Sequence, residues 1–341
     1  MFKIYKNKTL LMYLALIASI IWIYHIYTQL CYRKNDIQWM DLDTVRKAFH
    51  LFYFTKNYLI EPSPSICDQK PFLVILVTSS VDHVELRSAH RRAIPNDMLI
   101  NFNAVRVFLL AAIRHEQNNS IPQETIEEEN KTSGDILQGS FLDHYRNLTR
   151  KNLMGLDWAS SRCRNAAFIL KVDDDAVFNL YATYALLFKW NVNLTDRDSF
   201  LLGYIMQKGR PHRHGKFYVS PIEFIHRFYP SYLSGGYYIT TPETAYRIAK
   251  TAVCHAFLPV DDVFITGKLK NSLNITLKQI YPLYLPTDAE KCVSYMIKNY
   301  AIPVYPMLGQ SSLRVNLIVE FYQALQNCYI WRNCTVVDDV C

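Results

Sequence analysis

Phe168-Ile169-Leu170-Lys171-Val172-Asp173-Asp174-Asp175-Ala176-Val177-Phe178 decides how this chain reads. An apolar run of strand length feeds into three successive carboxylates, and a second apolar run, Ala176 to Leu180, follows. Side chains alternate along an extended chain, so Asp173 and Asp175 face one side and Asp174 the other. Carboxylates this close repel, and each raises its neighbour's pKa unless a cation relieves the pair. A hard divalent ion such as Mg²⁺ or Mn²⁺ would do so, with one or two carboxylates and substrate phosphates in its shell. The plainer alternative is a solvated Asp-rich turn closing a buried strand.

Upstream, Phe72 to Thr78 is a short, continuously apolar, β-branched run, the pattern of a strand buried on both faces. Val81 to Ala93 reads as a helix with Arg87 and Arg91 one turn apart on one face. That pair is placed to hold an anionic diphosphate, or else forms a basic solvated face. Val105 to Ile113 reads as the next buried strand, and Glu127-Glu128-Glu129 falls in a surface loop. Apolar positions 145, 148, 153 and 156 predict a helix ending near Gly155. Alternating strands and helices imply an α/β fold with a largely parallel sheet and ligands at the strand carboxyl ends, where Asp173 to Asp175 sit.

Downstream, Phe200 to Tyr204 is another strand, followed by the basic loop Arg210-Pro211-His212-Arg213-His214-Gly215-Lys216. That loop either closes over phosphates or is simply exposed. Tyr229 to Ile239 sets Gly235 and Gly236 among aromatics, allowing a sharp turn or close approach of backbone to a ligand. Thr241-Pro242-Glu243 reads as a helix start. Leu258 to Gly267 carries a second acidic pair, Asp261-Asp262, ahead of an apolar segment; an Asp there can also be a plain N-cap.

The remaining composition places the chain in a compartment. Its 341 residues carry a net charge of +7, spread out with no basic block, which argues against a nucleic-acid partner. Leu10 to Tyr27 is almost continuously apolar and runs on through Cys31, about the length that spans hydrocarbon. Lys3, Lys6 and Lys8 precede it and favour a cytosolic N-terminus. A cleaved signal peptide is the rival, but the run is long and ends in bulky residues. The expected layout is a cytosolic tail at 1–9, a transmembrane signal anchor at 10–31 and a stem at 32–70. A catalytic domain at 71–285 and a cysteine-containing extension at 286–341 packed on it follow. Eight cysteines without a C-x-x-C pair suggest disulfides in an oxidising lumen; seven lie beyond the anchor, so one thiol is expected to be odd. Sequons at Asn118, Asn130, Asn147, Asn193, Asn274 and Asn333 agree with a secretory route.

Taken together, residues 72–94, 134–163, 168–180, 215–220, 229–240 and 259–275 resemble, in order and spacing, the β-1,3-glycosyltransferases of glycosyltransferase family 31. The resemblance implies a GT-A-type, Rossmann-like domain behind a single anchor, in a single-pass type II protein of the Golgi membrane. It implies inverting transfer of a hexose, galactose or an N-acetylhexosamine, from a UDP-sugar to a glycan hydroxyl on glycoprotein or glycolipid. In that setting Asp175 is the metal ligand for Mn²⁺, with Asp173 toward the ribose and Asp174 beside it. Arg87 and Arg91 match the basic pair of the first block, and Asp262 matches the catalytic aspartate.

Several positions depart from the family pattern. Ile94 replaces a Trp, Leu233 a Cys and Tyr237 a Gly, while Asp261 replaces the Glu of a Glu-Asp pair. No His follows His255, where relatives place a second metal-site residue. These changes motivate an alternative: a catalytically weakened lumenal protein that binds glycan or a partner. A metal-dependent hydrolase finds no His-rich set here.

Overall fold

The computed structural model describes Tyr13, Ala15, Ala18, Ser19 and Trp22 near the N-terminus, then residues 57–113, 121–191, 199–280, 289–303, 306–311, 314–331 and 334–337. The expected anchor at 10–31, the tail before it and most of the stem lie outside those residues. Among the described residues no helix is long and apolar enough to cross a membrane. The chain divides into two units, Met1–Tyr53 with Val253–Ala256, and Phe54–Ala252 with Phe257–Cys341; the sheet and the cleft belong to the second.

Strand β1 (Tyr58–Ile60) and β2 (Leu73–Thr78) precede helices α1 (Val84–Ala93) and α2 (Asn96–Asn101). Then come β3 (Ala104–Ala112), α3 (Gln123–Ser133), β4 (Ile136–Leu142), α4 (Leu148–Arg162), β5 (Phe168–Asp173) and β6 (Ala176–Phe178). Helix α5 (Leu180–Asn191), β7 (Phe200–Met206), β8 (Tyr232–Thr240) and α6 (Pro242–Ala252) lead to a π-helical segment, Val263–Leu269. The chain ends with β9 (Thr276–Gln279), α7 (Ala289–Asn299), β10 (Ala301–Pro303), β11 (Met307–Gln310), α8 (Leu317–Trp331) and β12 (Thr335–Val337).

Eight strands form one sheet in the order β1-β4-β3-β2-β5-β8-β7-β9. Strands β4, β3, β2 and β5 are parallel, and all six residues of β2 are buried, as its unbroken apolar run requires. The sheet is less parallel than alternation suggested, because β8 runs antiparallel to both neighbours. The order matters for ligands. From β2 the chain moves outward to β3 and β4, then returns to lay β5 on the other side of β2. Thr78 and Asp173 are register partners at the carboxyl ends of these two strands. This is a topological switch point, where open α/β sheets leave a crevice.

Two helical readings need correction. Glu127-Glu128-Glu129 lie within α3, not in a loop; Pro122 precedes that helix and Gly134, at φ 65°, caps it in the left-handed conformation. Gly155 sits mid-helix in α4, where a side chain would collide with Leu109 of β3, so it marks close packing and not a helix end.

The C-terminal residues join the same core. Strand β11 pairs antiparallel with β6, and α8 packs on α1, burying Leu317, Ile318, Phe321 and Leu325. The Tyr322 hydroxyl donates to Phe178 O and accepts from Leu180 N–H, each at 3.1 Å. Disulfides join Cys67 to Cys163 and Cys328 to Cys334. Cys254 and Cys292 are also disulfide-bonded, so the expected odd thiol is not found among the described residues.

Candidate active site

A cleft of about 770 Å³ opens at the switch point. Its lining includes Thr78 to Ser80 after β2, Asp173 to Asp175 after β5, Gly235 and Gly236 from β8, and Asp261-Asp262 before the π-helical segment. The two acidic groups that stood some ninety positions apart in the chain thus share one cavity.

The first group divides its labour. Asp173 Oδ1 accepts from Lys171 Nζ at 2.5 Å, and the same ammonium donates to Gly235 O at 2.6 Å. Burial raises the Asp173 carboxyl, with Lys171 acting against it. Asp174 is occupied elsewhere: its Oδ2 lies 2.7 Å from His83 Nδ1, and its carbonyl 2.7 Å from His90 Nε2. Burial alone would raise this carboxyl, but the hydrogen bond and charge of His83 carry it below the ordinary value. Among the described residues the Asp175 carboxylate meets Gln310 alone, whose Nε2 donates at 3.4 Å, while its carbonyl accepts from Ser311 N–H at 2.7 Å. Burial, then the charges of Asp173 and Asp174, push the carboxyl up to about 6.

The second group is set by a relay of hydrogen bonds. Thr78 Oγ1 donates to Asn152 Oδ1 at 2.5 Å, and Asn152 Nδ2 donates to Asp261 Oδ2 at 2.6 Å. Asp262 Oδ1 accepts from Val263 N–H at 2.7 Å, as a helix cap would. Among the described residues no donor meets its Oδ2, so capping leaves one oxygen for chemistry. Burial, then the charge of Asp261, raises Asp262 to about 7. Gly235 is what lets β8 lie against it: a Cβ there would stand 3.2 Å from Asp262 Cβ.

Arg87 and Arg91 are not in this cleft, and the diphosphate role expected for them does not fit their surroundings. Arg87 is fully buried; its Nε and Nη2 donate to Glu129 at 2.9 and 2.8 Å, and its other donors reach Ser79, Ser80 O and Val81 O. Arg91 binds Glu129 at 2.6 Å and Asp135 at 2.6 and 3.0 Å. With the Arg87 donors all engaged inside the fold, and Nε, Nη1 and Nη2 of Arg91 each bonded to a carboxylate, these guanidiniums brace α1 against α3 and the start of β4. Besides Lys151 and Lys171, the basic loop brings Arg210, His212 and Lys216 to the lining, with Lys216 Nζ 5.0 Å from the centre of the Tyr145 ring.

Four residues that sequence reasoning passed over shape the site: His83, Lys171, Asn152 and Lys151. Lys171 was findable, since it lies two residues before Asp173 and therefore on the same face of β5. Lys151 Nζ holds Ser79 O at 2.6 Å and Asp143 at 2.7 Å, fixing the loop after β2. Nothing local signals His83 or Asn152, because their partners lie 91 and 109 positions away.

Comparison with known proteins agrees with this arrangement. The galactosyltransferase family model matches residues 87–281, more than half of the chain. Human beta-1,3-galactosyltransferase 5 is 29% identical over 276 residues, covering 80% of this chain and 84% of that protein. The gorilla protein of that name is 31% identical over 67% of this chain and 76% of its own length. Mouse N-acetyllactosaminide beta-1,3-N-acetylglucosaminyltransferase 2 is 30% identical over 67% of this chain and 58% of its own. The chain belongs to the galactosyltransferase family and is a hexosyltransferase. A solved galactosyltransferase, LgtC with donor and acceptor sugar analogues, superposes on 60% of this chain and 72% of its own at TM-score 0.32 and 8% identity, too loosely to bear on the fold.

Proposed function

We propose that this protein transfers a hexose from a UDP-sugar to a glycan hydroxyl with inversion, forming a β-1,3 linkage, and that Asp262 is the general base. The observation that carries this is Asp262 itself. It is a cleft carboxylate raised to about 7, with no donor on Oδ2 among the described residues and Oδ1 held still by Val263 N–H. A base poised near working pH is the most effective proton acceptor. Oδ2 takes the proton of the acceptor hydroxyl as that oxygen bonds to the anomeric carbon. The bond to the diphosphate breaks on the opposite face and the nucleoside diphosphate leaves with the electron pair. An α-linked donor thereby gives a β product.

The Asp173–Asp175 side is the donor side in this reading, within a domain of GT-A type. Arg210 and Lys216 supply positive charge for the diphosphate, and Asp173, steadied by Lys171, is available to the ribose hydroxyls. The residues also fit a divalent cation, Mn²⁺ by family resemblance, held by Asp175. One oxygen of Asp173 is held by Lys171 and one of Asp174 lies against His83, whereas among the described residues the Asp175 carboxylate meets Gln310 alone. Among the described residues no set of three His, Cys, Asp or Glu side chains surrounds a metal position, so donor phosphates and water would complete the shell. Such an ion, when bound, would supply Lewis-acid neutralisation of the diphosphate's charge. Residence in the Golgi membrane, with the catalytic domain lumenal, is supported by the apolar run at 10–31, the sequons and the disulfides.

Asp262→Asn tests the assignment, since Asn keeps the cap but cannot take a proton. Turnover is expected to fall by about 100-fold or more, with donor affinity unchanged in titration calorimetry. Near-normal kcat would make Asp262 a cap only and shift the search to Asp261.

A further inference from the structure

Strand β8 parts from β5 at the place where the two acidic groups meet. The ladder between them runs from Ile169 opposite Thr240 to Val172 opposite Tyr237 and goes no further. Strand β8 continues to Tyr232 beside β7, so Gly235 and Gly236 pass the end of β5 outside that ladder. One side chain spans the opening. Lys171 lies two residues before Asp173, on the same face of β5, and its side chain is 2% exposed. Its Nζ donates to Asp173 Oδ1 at 2.5 Å and to Gly235 O at 2.6 Å. Gly235 is in turn the residue on which Asp262 rests: a Cβ there would stand 3.2 Å from Asp262 Cβ and 3.6 Å from its Oδ2. Fixing the Gly235 carbonyl therefore fixes the backbone under Asp262.

A buried ammonium is a costly bridge unless acids surround it. Burial alone would lower the Lys171 amine, but the charges of Asp173, Asp261 and Asp262 carry it above its ordinary value, so it stays charged. A neutral donor could bridge the same two oxygens; only a cation also offsets the three carboxylates around it. We propose that Lys171 is a positioning residue for both halves of the reaction: it holds Asp173 for the donor's ribose and, through Gly235, holds Asp262 at the acceptor hydroxyl. It thereby sets the distance between the two. The naming of the halves rests on the transferase reading above; the bridge itself does not.

Lys171→Met in the full-length chain gives one readout for each half. On the donor side, UDP affinity in calorimetry with Mn²⁺ is expected to weaken about tenfold, the scale of one lost charge-assisted hydrogen bond. On the acceptor side, the groups facing Asp262 are Asp261 beside it, Asp173 and Lys171 on β5, Tyr232 and Tyr238 on β8, Tyr145 ahead of α4, and Tyr229. Burial pushes all four tyrosine hydroxyls above their ordinary value, so they stay neutral and Lys171 is the cation among these groups. Its loss is expected to raise the pH at which kcat/KM reaches half its plateau by about 1, the lower end of what one neighbouring opposite charge supplies. Unfolding reads the same change without turnover. Asp262's contribution to stability is lost as pH climbs through its folded pKa, so that window moves upward. A residue that only filled space would lower Tm and kcat and move neither readout. Movement of one readout alone confines Lys171 to that half and overturns the bridge; movement of neither overturns it altogether. If Lys171→Met does not fold, Lys171→Gln, which keeps a donor for Gly235 O but no charge, carries the same measurements with the same expected directions. Absence of turnover by the parent chain with every UDP-hexose would count against the transferase reading, leaving UDP affinity and unfolding to decide on Lys171.

Discussion

Replacing Arg87 with Met separates a structural guanidinium from a substrate-binding one. Arg87 is fully buried and Glu129 is 11% exposed at its side chain, so solvent does little to screen the pair. Losing one partner of such a pair strands the other, at a typical cost of about 3–5 kcal/mol. Arg91 still reaches Glu129 at 2.6 Å, which favours the lower end of that range. For a domain of this size 1 kcal/mol moves Tm by about 2–4 °C, so a fall of roughly 6–12 °C is expected. Thermal unfolding of the purified protein by intrinsic fluorescence measures it. The double variant Arg87→Met with Glu129→Met should recover much of the loss, since no charge is then stranded. Donor KM, measured well below Tm, should stay within about twofold, corresponding to well under 1 kcal/mol. An unchanged Tm with a KM raised tenfold or more would refute the argument and return Arg87 to the diphosphate.

Asp262 predicts a pH profile. As a base with its pKa near 7 it is protonated and idle at low pH, so kcat/KM should rise with pH and level off above about 7; a flat profile would remove it from proton transfer. Because that folded-state pKa is raised, its contribution to stability is greatest at acid pH and is lost as pH climbs through about 7, which pH-dependent unfolding would reveal. Asp175→Ala should abolish Mn²⁺-dependent UDP binding in calorimetry, whereas wild-type turnover surviving a chelator would end the metal assignment. Gly235→Ala puts a methyl 3.2 Å from Asp262 Cβ, so kcat should drop about tenfold or more, an estimate for a displaced catalytic group, while Tm shifts little.

What could be read ahead of the structure was whatever depends on neighbours in sequence. The Phe168 to Asp173 run specifies a buried strand, and its acids must emerge at the strand's end; both follow from local polarity. Asp261-Asp262 stands out for the same reason. What could not be read was which distant group answers which charge. Arg87 and Arg91 share a helix face, as their spacing requires, but whether that face meets a phosphate or Glu129 depends on where α3 returns. The return is decided by the order β4-β3-β2-β5, which no window of sequence contains. His83 illustrates the same limit: it reads as one more residue of the Val81 to Ala93 helix until the crossover brings Asp174 to it.

The hydrogen bond between Tyr229 N–H and Gly209 O has a consequence for engineering. A surface segment whose two ends already touch can be exchanged for another of similar span without asking the sheet to move. Residues 210–228 are therefore a natural cassette. Grafting the equivalent segment of another family member onto this scaffold would change the wall of the cleft that Arg210, His212, Lys216 and Phe217 form, while Asp173 to Asp175 and Asp262 stay in place. Variation of that kind needs no change in the core, only a different strip of chain between two fixed posts that keeps cations where Arg210 and Lys216 meet the cleft.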